Sequence, residues 1–555
     1  MTRFERFSTS AALSLALGVG PALAQEPSPA PTDAPPAAEP ASSQTPTATP
    51  ADDRPLLALS LQDTVARALE NNADIAVERL NPEMSAESLR EAKGVYEPFA
   101  FSTIAQNSRT DPARNVFAGG EKVNTDTLTY DFGASQPLPT GGNLRLDFNN
   151  NRADTNSTFS TFNPSFGSSL LLQLQQPLLR NFSLDSSRYQ IQVARRNRDI
   201  SETQFKQTVL NTTANVKQLY YDLIYSADNL EAQRKSLSLA TKLVEENRIK
   251  VRVGTMAPLD VVAAEAEQAS REEAVILAEN ALLEAEDAVK RAIFPSNDAA
   301  TWALRIVPTE RPTAEPVTVD LEAAIRIALE RRTDLTATRL SVENAEYGLR
   351  FARNQRLPQL DLVASYGSNG LGGTQILRDD PLGPPTGTVP GGFGDALSGV
   401  FGRDFPTWTL GVNISYPFLN RQNQAAAARA RLSRDQAQAN LRRAELQVAS
   451  EVRTAGRAVE TNYKRVESTR AARVLAERRL DAEEKKFAAG LSTNFLVTQA
   501  QRDLAVALVA ELRAVADYRK SIVNFERVQE AGGGVSFASS AAATTARNTA
   551  STAGQ

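Results

Sequence analysis

From Ser183 to Val253 the chain runs without a glycine or a proline, and Val209, Val216, Leu223, Leu230, Leu237, Val244 and Val251 fall seven residues apart along it. A sustained seven-residue apolar repeat describes a left-handed helical seam. At 1.5 Å per residue the run extends roughly 100 Å, far beyond a globular helix. A second run, Asn423 to Ala489, carries Val448, Val452, Ala455, Val459 and Val466 at three-and-four spacing and is interrupted only by Gly456.

Each long run meets a glycine, and a shorter helical pattern then returns. The first turn reads Arg252-Val253-Gly254-Thr255-Met256-Ala257-Pro258 and the second Ala489-Gly490-Leu491-Ser492-Thr493. Glycine suits a left-handed helix end, and Pro258 suits the first turn of the next helix. The returning helices, near Leu259 to Ala292 and Phe495 to Val528, are about half as long as the rods. Helices of similar length start each half, Leu61 to Glu97 and Leu321 to Leu357, and these two stretches match without a gap at an offset of 260 residues. Ala68-Leu69-Glu70 returns as Ala328-Leu329-Glu330, and Arg79-Leu80 as Arg339-Leu340, so a duplicated unit is expected. Ser60 with Asp63 caps one copy and Asp320 the other, while Pro98 and Pro358 favour extended chain at their ends. A short returning helix stacked on a short starting helix matches one rod, which predicts four helical columns of equal height per chain.

Period-two segments follow both prolines. Leu128, Tyr130, Phe132 and Ala134 alternate with polar or small residues, as do Leu144, Leu146 and Phe148, then Leu170, Leu172 and Leu174. The second half has Leu360, Leu362, Ala364 and Tyr366, then Trp408, Leu410, Val412, Ile414 and Tyr416, with a Gly/Pro-rich loop from Gly367 to Pro406 between. Such strands carry one apolar and one polar face. A soluble sandwich shows the same alternation, but the loop lengths favour a membrane barrel: Pro139 to Gly142 is a tight turn, whereas Ser108 to Asp126 and Arg152 to Gly167 read as long connections.

Composition removes most enzymatic readings. The chain of 555 residues has no cysteine and no histidine, so thiolate nucleophiles, imidazole bases, disulfides and nearly all structural zinc chemistry are absent. Its 61 basic and 65 acidic residues give a net charge of −4, with no footprint for nucleic acid. No phosphate loop and no strand-turn-helix nucleophile motif is present, and neither a catalytic residue nor a cofactor or metal site is expected. Arg3 and Arg6, an apolar run from Ala11 to Val19, and Ala22-Leu23-Ala24 predict a signal peptide over residues 1–24. No later stretch reaches the roughly 18 to 20 apolar residues of a membrane-spanning helix, so a bilayer can be crossed only by strands. Residues 25–54 read as a Pro/Ala-rich disordered linker and 533–555 as a disordered tail.

This layout resembles the TolC family of outer-membrane efflux proteins over nearly all of Leu61 to Gly532. The resemblance rests on the repeat ending in Ala92-Lys93…Pro98 and Ala352-Arg353…Leu357-Pro358, on the corners Gln176-Pro177-Leu178-Leu179 and Tyr416-Pro417-Phe418-Leu419, and on the two glycine turns. It implies a mixed α and β membrane protein: a homotrimeric outer-membrane β-barrel continuous with a long periplasmic α-helical barrel of coiled-coil hairpins, with two internal repeats per chain, 55–296 and 319–532, joined by an equatorial linker over 297–318. It also implies docking to a periplasmic adaptor and an inner-membrane pump, contact with outer-membrane lipid, and passive conduction as the exit duct of a tripartite efflux or type I secretion system of a Gram-negative-type bacterium. Val253, Gly254, Thr255, Gly490 and Leu491 match the family's adaptor-docking helix tips, although any helical hairpin favours glycine there. Asp260 stands where the family places a carboxylate at the periplasmic constriction; the plainer reading is a helix-start aspartate favoured by the dipole. Leu496, Gln499, Phe487 and Ser492 depart from the acidic, tyrosine and arginine positions of the family's polar lock. The hairpin from Thr127 to Asn150 is additional to the family's four strands, which predicts six strands per chain and eighteen in a trimer. Edges cannot stand open in lipid, and four to six strands fall short of the roughly eight of the smallest closed barrel, so an oligomer is required on physical grounds as well. Two rivals stay open at this point. A non-conducting coiled-coil spacer or tether explains the helices, and a diffusion porin explains the strands.

Overall fold

The computed structural model describes residues 54–113, 121–380 and 383–532; the expected signal peptide, the expected linker up to residue 53 and the expected tail lie outside them. β1 (Leu56–Leu59) leads into α1 (Leu61–Asn71) and α2 (Ala73–Lys93). A capping box opens α1, with the Ser60 hydroxyl accepting from the Asp63 amide at 3.1 Å while the Asp63 carboxylate accepts from the Ser60 amide at 3.4 Å. The helix expected to run unbroken from Leu61 to Glu97 is interrupted at Asn72, whose backbone is extended (φ −67°, ψ 128°). The reason lies in its side chain, which accepts from the Asp74 and Ile75 amides as a fresh N-cap and donates to the Ala292 carbonyl at 3.1 Å.

Four strands follow, β2 (Phe99–Pro112), β3 (Lys122–Pro137), β4 (Asn143–Thr155) and β5 (Phe162–Pro177). Next come α3 (Ser186–Arg252), of 67 residues, and α4 (Pro258–Ile293), of 36. The segment between the halves holds α5 (Ala299–Trp302) and β6 (Arg305–Pro308), and β6 pairs in parallel with β1. The second half brings α6 (Leu321–Arg331), α7 (Thr333–Asn354), β7 (Gln359–Leu377), β8 (Gly387–Val389), α8 (Phe393–Gly402) and β9 (Phe405–Ser415). It ends with α9 (Arg421–Ala488), of 68 residues, and α10 (Asn494–Glu530), of 37. The second starting helix is also broken, at Arg332, which stands 260 residues after Asn72 and is likewise extended (φ −60°, ψ 130°). Arg332 is fully buried, binds Asp334 and Glu451, and donates to the Val528 carbonyl near the end of α10, as Asn72 does near the end of α4.

The rods are stitched by the apolar stripe. Val216 and Leu223 of α3 join Leu59, Ala68, Val289, Ile293 and Ile306 in one core, where the end of α4 meets the start of α1. Val448, Val452 and Ala455 of α9 join Ala324, Ile325, Ala328, Leu335 and Val528 in another, where the end of α10 meets α6. Gly456 has a packing reason: a Cβ there would lie 2.4 Å from Cδ2 of Leu321, so the gap in the apolar pattern seats the first residue of α6.

One antiparallel sheet runs β2-β3-β4-β5-β7, with β9 on the lower part of the other edge of β7 and the three-residue β8 on its upper part. Much of what reads as long loop is strand, since β2 and β3 pair as far as Pro112 with Lys122, and β4 reaches Thr155 before β5 resumes at Phe162. The Gly/Pro-rich stretch after Gly367 is likewise structured, carrying the end of β7, β8 and α8. Its glycines let helix lie on strand: a Cβ on Gly370 would fall 1.9 Å from the Ala396 carbonyl oxygen, so α8 rests directly on β7. Phe393 of α8 reaches across to Tyr130 and Phe166, with ring centroids 5.4 and 6.3 Å away.

Candidate functional site

At the end remote from the sheet, both hairpins turn in the same way. Gly254 (φ +75°) receives the last turn of α3, with its amide on the Val251 carbonyl (3.0 Å) and the Thr255 amide on Lys250 (2.9 Å). Gly490 (φ +74°) does the same for α9, with its amide on Phe487 (3.2 Å) and the Leu491 amide on Lys486 (2.8 Å). These paired bonds form the left-handed Schellman ending, which strains any residue carrying a Cβ. Nothing lies within 4 Å of a Cβ built at either glycine, and Val253 and Leu491 stand 69% and 80% exposed. The five tip residues singled out from the sequence thus form two open, apolar-flanked turns.

Asp260 lies in the first turn of α4, and the structure brings it to the second hairpin by its backbone. Asn494, the first residue of α10, donates to the Asp260 carbonyl (3.1 Å) and accepts from Asn247 of α3 (2.8 Å). Two turns further up, buried Glu267 of α4 accepts from Arg271 (2.8 Å) and, across to the other hairpin, from Arg502 of α10 (2.8 Å). Burial opposes the Glu267 charge, but the hydrogen bonds from Arg502 and Arg271 outweigh it and hold the carboxyl below the ordinary glutamate range. Phe487 and Ser492, the departures from the family's lock, do other work. Phe487 is buried with Leu243, Leu480, Val497 and Ala500 under the Lys250 ammonium, and Ser492 donates to Glu483 (2.8 Å). Gln499 bonds Asp503 on its own helix, and Leu496 is exposed. The sequence reading missed Asn247, Asn494, Glu267 and Arg502. Its available signal was a polar residue inside an apolar stripe, as at Asn247, three residues after Val244 and four before Val251.

At the other end, strand register sorts the sheet into two faces. Ile104, Tyr130, Phe132, Leu146, Phe148, Leu170, Leu172, Ala364, Tyr366, Trp408, Leu410 and Ile414 fall on one face, as their cross-strand pairings show. Most of these side chains are exposed and form a large apolar band, covered only at its upper end, where Phe393 of α8 packs on Tyr130. The opposite face carries Asp131, Arg145, Asp147, Asn149, Asn151, Gln173, Gln175, Asp361, Asn369 and Asn413. There Arg145 bonds Asp147 at 2.8 Å and lies 4.7 Å over the Phe101 ring, while Asp361 accepts from Gln175 and Gln359. The long hairpin expected to be additional is β3–β4, and it lies within this sheet between β2 and β5. Among the described residues no helix is long and apolar enough to cross a membrane.

A sheet with one largely apolar face and one polar face, joined to helical rods about 100 Å long, is the architecture of an outer-membrane efflux protein. The chain belongs to the outer membrane efflux protein family, which matches it over residues 143–293 and 324–528, more than half of its length. It is 23% identical over 354 residues to outer membrane protein TolC of Vibrio cholerae, covering 62% of this chain and 75% of that one. Its fold is similar to that of a membrane protein from Pseudomonas aeruginosa (TM-score 0.61, 17% identity, covering 84% of this chain and 93% of that one). It is also similar to the CmeC outer membrane channel of Campylobacter jejuni (TM-score 0.58, 18% identity, covering 85% of each). The family match begins at the first residue of β4, so β2 and β3 lie outside it.

Proposed function

We propose that three copies of this chain form the passive exit duct of a tripartite efflux or type I secretion machine. The duct takes cargo from a periplasmic adaptor and an inner-membrane pump and releases it outside a Gram-negative-type cell. The observation that carries this reading is the joining of the two-faced sheet to the rods: the apolar band requires lipid, the rods reach far below it, and both sheet edges are unpaired among the described residues. In this reading the two halves are structural repeats, 55–296 and 319–532 with 297–318 between, preceded by a signal peptide over 1–24 and a linker over 25–54 and followed by a tail over 533–555. The tips at Val253, Gly254, Thr255, Gly490 and Leu491 meet the adaptor, and three copies of Asp260 line the periplasmic constriction. The duct contributes no energy and no catalysis.

The test is fractionation followed by planar-bilayer recording. A detergent-soluble outer-membrane trimer with steady conductance is expected. A water-soluble monomer that forms no pores would refute the reading and favour the coiled-coil tether, although that alternative leaves the apolar sheet face without a solvent.

A further inference from the structure

The two open edges of the sheet belong to β2 and β9, and the chain already contains a junction of the same kind in β5 with β7. Both β5 and β9 run down into a proline corner, Gln176-Pro177-Leu178-Leu179 and Tyr416-Pro417-Phe418-Leu419, 240 residues apart. Both β7 and β2 rise from a starting helix through Pro358 and Pro98, 260 residues apart. Within the chain, Leu174 faces Ala364 and Pro177 faces Asp361. Carrying the first pair over by these offsets sets Ile414 opposite Ile104, and the second sets Pro417 opposite Phe101.

We infer that β9 of one copy pairs antiparallel with β2 of the next in the register Ile414 to Ile104, closing a barrel of eighteen strands. The inference rests on the trimeric reading above and adds to it the seam and the strand count. Three independent features agree with it. Parity is kept: Ile104 and Ile414 each lie on the apolar face of their own sheet, and a one-residue slip would turn one of them inward. Direction is kept: six alternating strands per copy leave an antiparallel pair at every seam, as closed outer-membrane barrels require. Level is kept across the inserted hairpin: straight across the ladders Phe99 meets Ser135, then Arg145, then Gln173. The second half pairs Gln359 directly with Ser415, whose counterpart is Gln175, two residues away and on the same face. The hairpin therefore widens the wall without turning it over.

The circumference also fits. Twelve helical columns, four per copy, spaced about 8–10 Å apart, enclose a ring of about 95–120 Å. Eighteen strands about 4.8 Å apart and tilted by about 35–45° make a ring of about 105–120 Å. With the hairpin in the wall, the barrel meets the helical cylinder without a step.

Because the chain has no cysteine, engineered thiols report cleanly. The double variant Ile104→Cys/Ile414→Cys, oxidised in outer membranes, should run as a covalent trimer on denaturing gels and revert on reduction. Each single variant should stay monomeric on the same gels. Ser102→Cys/Ile414→Cys and Gln106→Cys/Ile414→Cys should link at least about tenfold less, since diagonal neighbours stand about 7–8 Å apart, near the limit of disulfide reach. Native mass of each reduced variant in detergent checks assembly. A monomeric mass for the unmodified chain overturns the trimeric reading, and the seam with it. A trimer whose seam links only in a shifted pair overturns the register alone. Twelve wall strands in a single-particle reconstruction, with β3–β4 outside, overturn the count.

Discussion

Buried Glu267 ties the two hairpins together near their tips through Arg502, and replacing it by glutamine removes the charge while keeping the shape. Arg271, with a side chain 15% exposed, then loses its buried counter-ion, and Arg502, about half exposed, loses its partner across the hairpins. A hydrogen bond to a charged group contributes about 1.5–3 kcal/mol. The Arg502 share must be discounted for solvent screening, so the net loss is about 2–3 kcal/mol. Confined to the tips, that raises local opening about 30- to 150-fold. Hydrogen exchange of the purified protein reads it directly: amides of residues 494–503 should lose that much protection, while those of residues 515–525, near the other end of α10, should not change. The pH dependence has a definite sign. A carboxyl held below its ordinary value stabilises the fold above that value and loses the contribution as pH falls through the folded-state value. Wild-type tips should therefore loosen in acid below the ordinary glutamate range, and the glutamine variant should be loose at neutral pH with a flatter acid profile. Protection at 494–503 altered by less than about threefold would show that the hairpins are held by their apolar contacts and not by this pair.

Other perturbations separate further roles. Gly254→Ala with Gly490→Ala should cost about 1–2 kcal/mol per site from the left-handed backbone alone, whereas asparagine, which tolerates that conformation, isolates the docking role. If Gly254→Asn/Gly490→Asn trimers reach the membrane but export falls sharply, the tips dock; full export would reduce the glycines to helix ends. Asp260→Ala should weaken cation preference in single-channel reversal potentials, because a ring of carboxylates favours cations, and an unchanged reversal potential would leave Asp260 a helix-start residue. Gly370→Val should displace α8 from β7, since its Cβ would meet the Ala396 carbonyl, and expose residues 390–404 to protease while the trimer persists.

What the sequence showed and what it hid divides along a physical line. Periodicity is a one-dimensional record of which face is buried, so Val216, Leu223, Val448 and Val459 could be read as seam residues, and all four are buried. Alternation likewise marked Leu146, Leu172 and Ile414 as lying on the apolar faces of their strands, and the cross-strand pairings bring those faces together. Features that depend on a distant partner left weaker traces. The break at Arg332 is set by a hub with Asp334, Glu451 and the Val528 carbonyl, and the last two of these lie more than a hundred residues on. At Asn72 the capping side chain was visible, yet helix-compatible neighbours on both sides masked it. Residues 367–406 looked like loop because Gly370 and Gly372 lack strand propensity, but those glycines are the floor on which α8 lies. Gly456 interrupts the apolar pattern because it is the seat of Leu321. Asn247 stands inside the apolar stripe of α3, and Glu267 is buried among the rods near the tips. Inside a seam such a residue has to find a partner, and here the partners lie on the other hairpin, so the exceptions to the heptad mark where the two halves of the chain are joined.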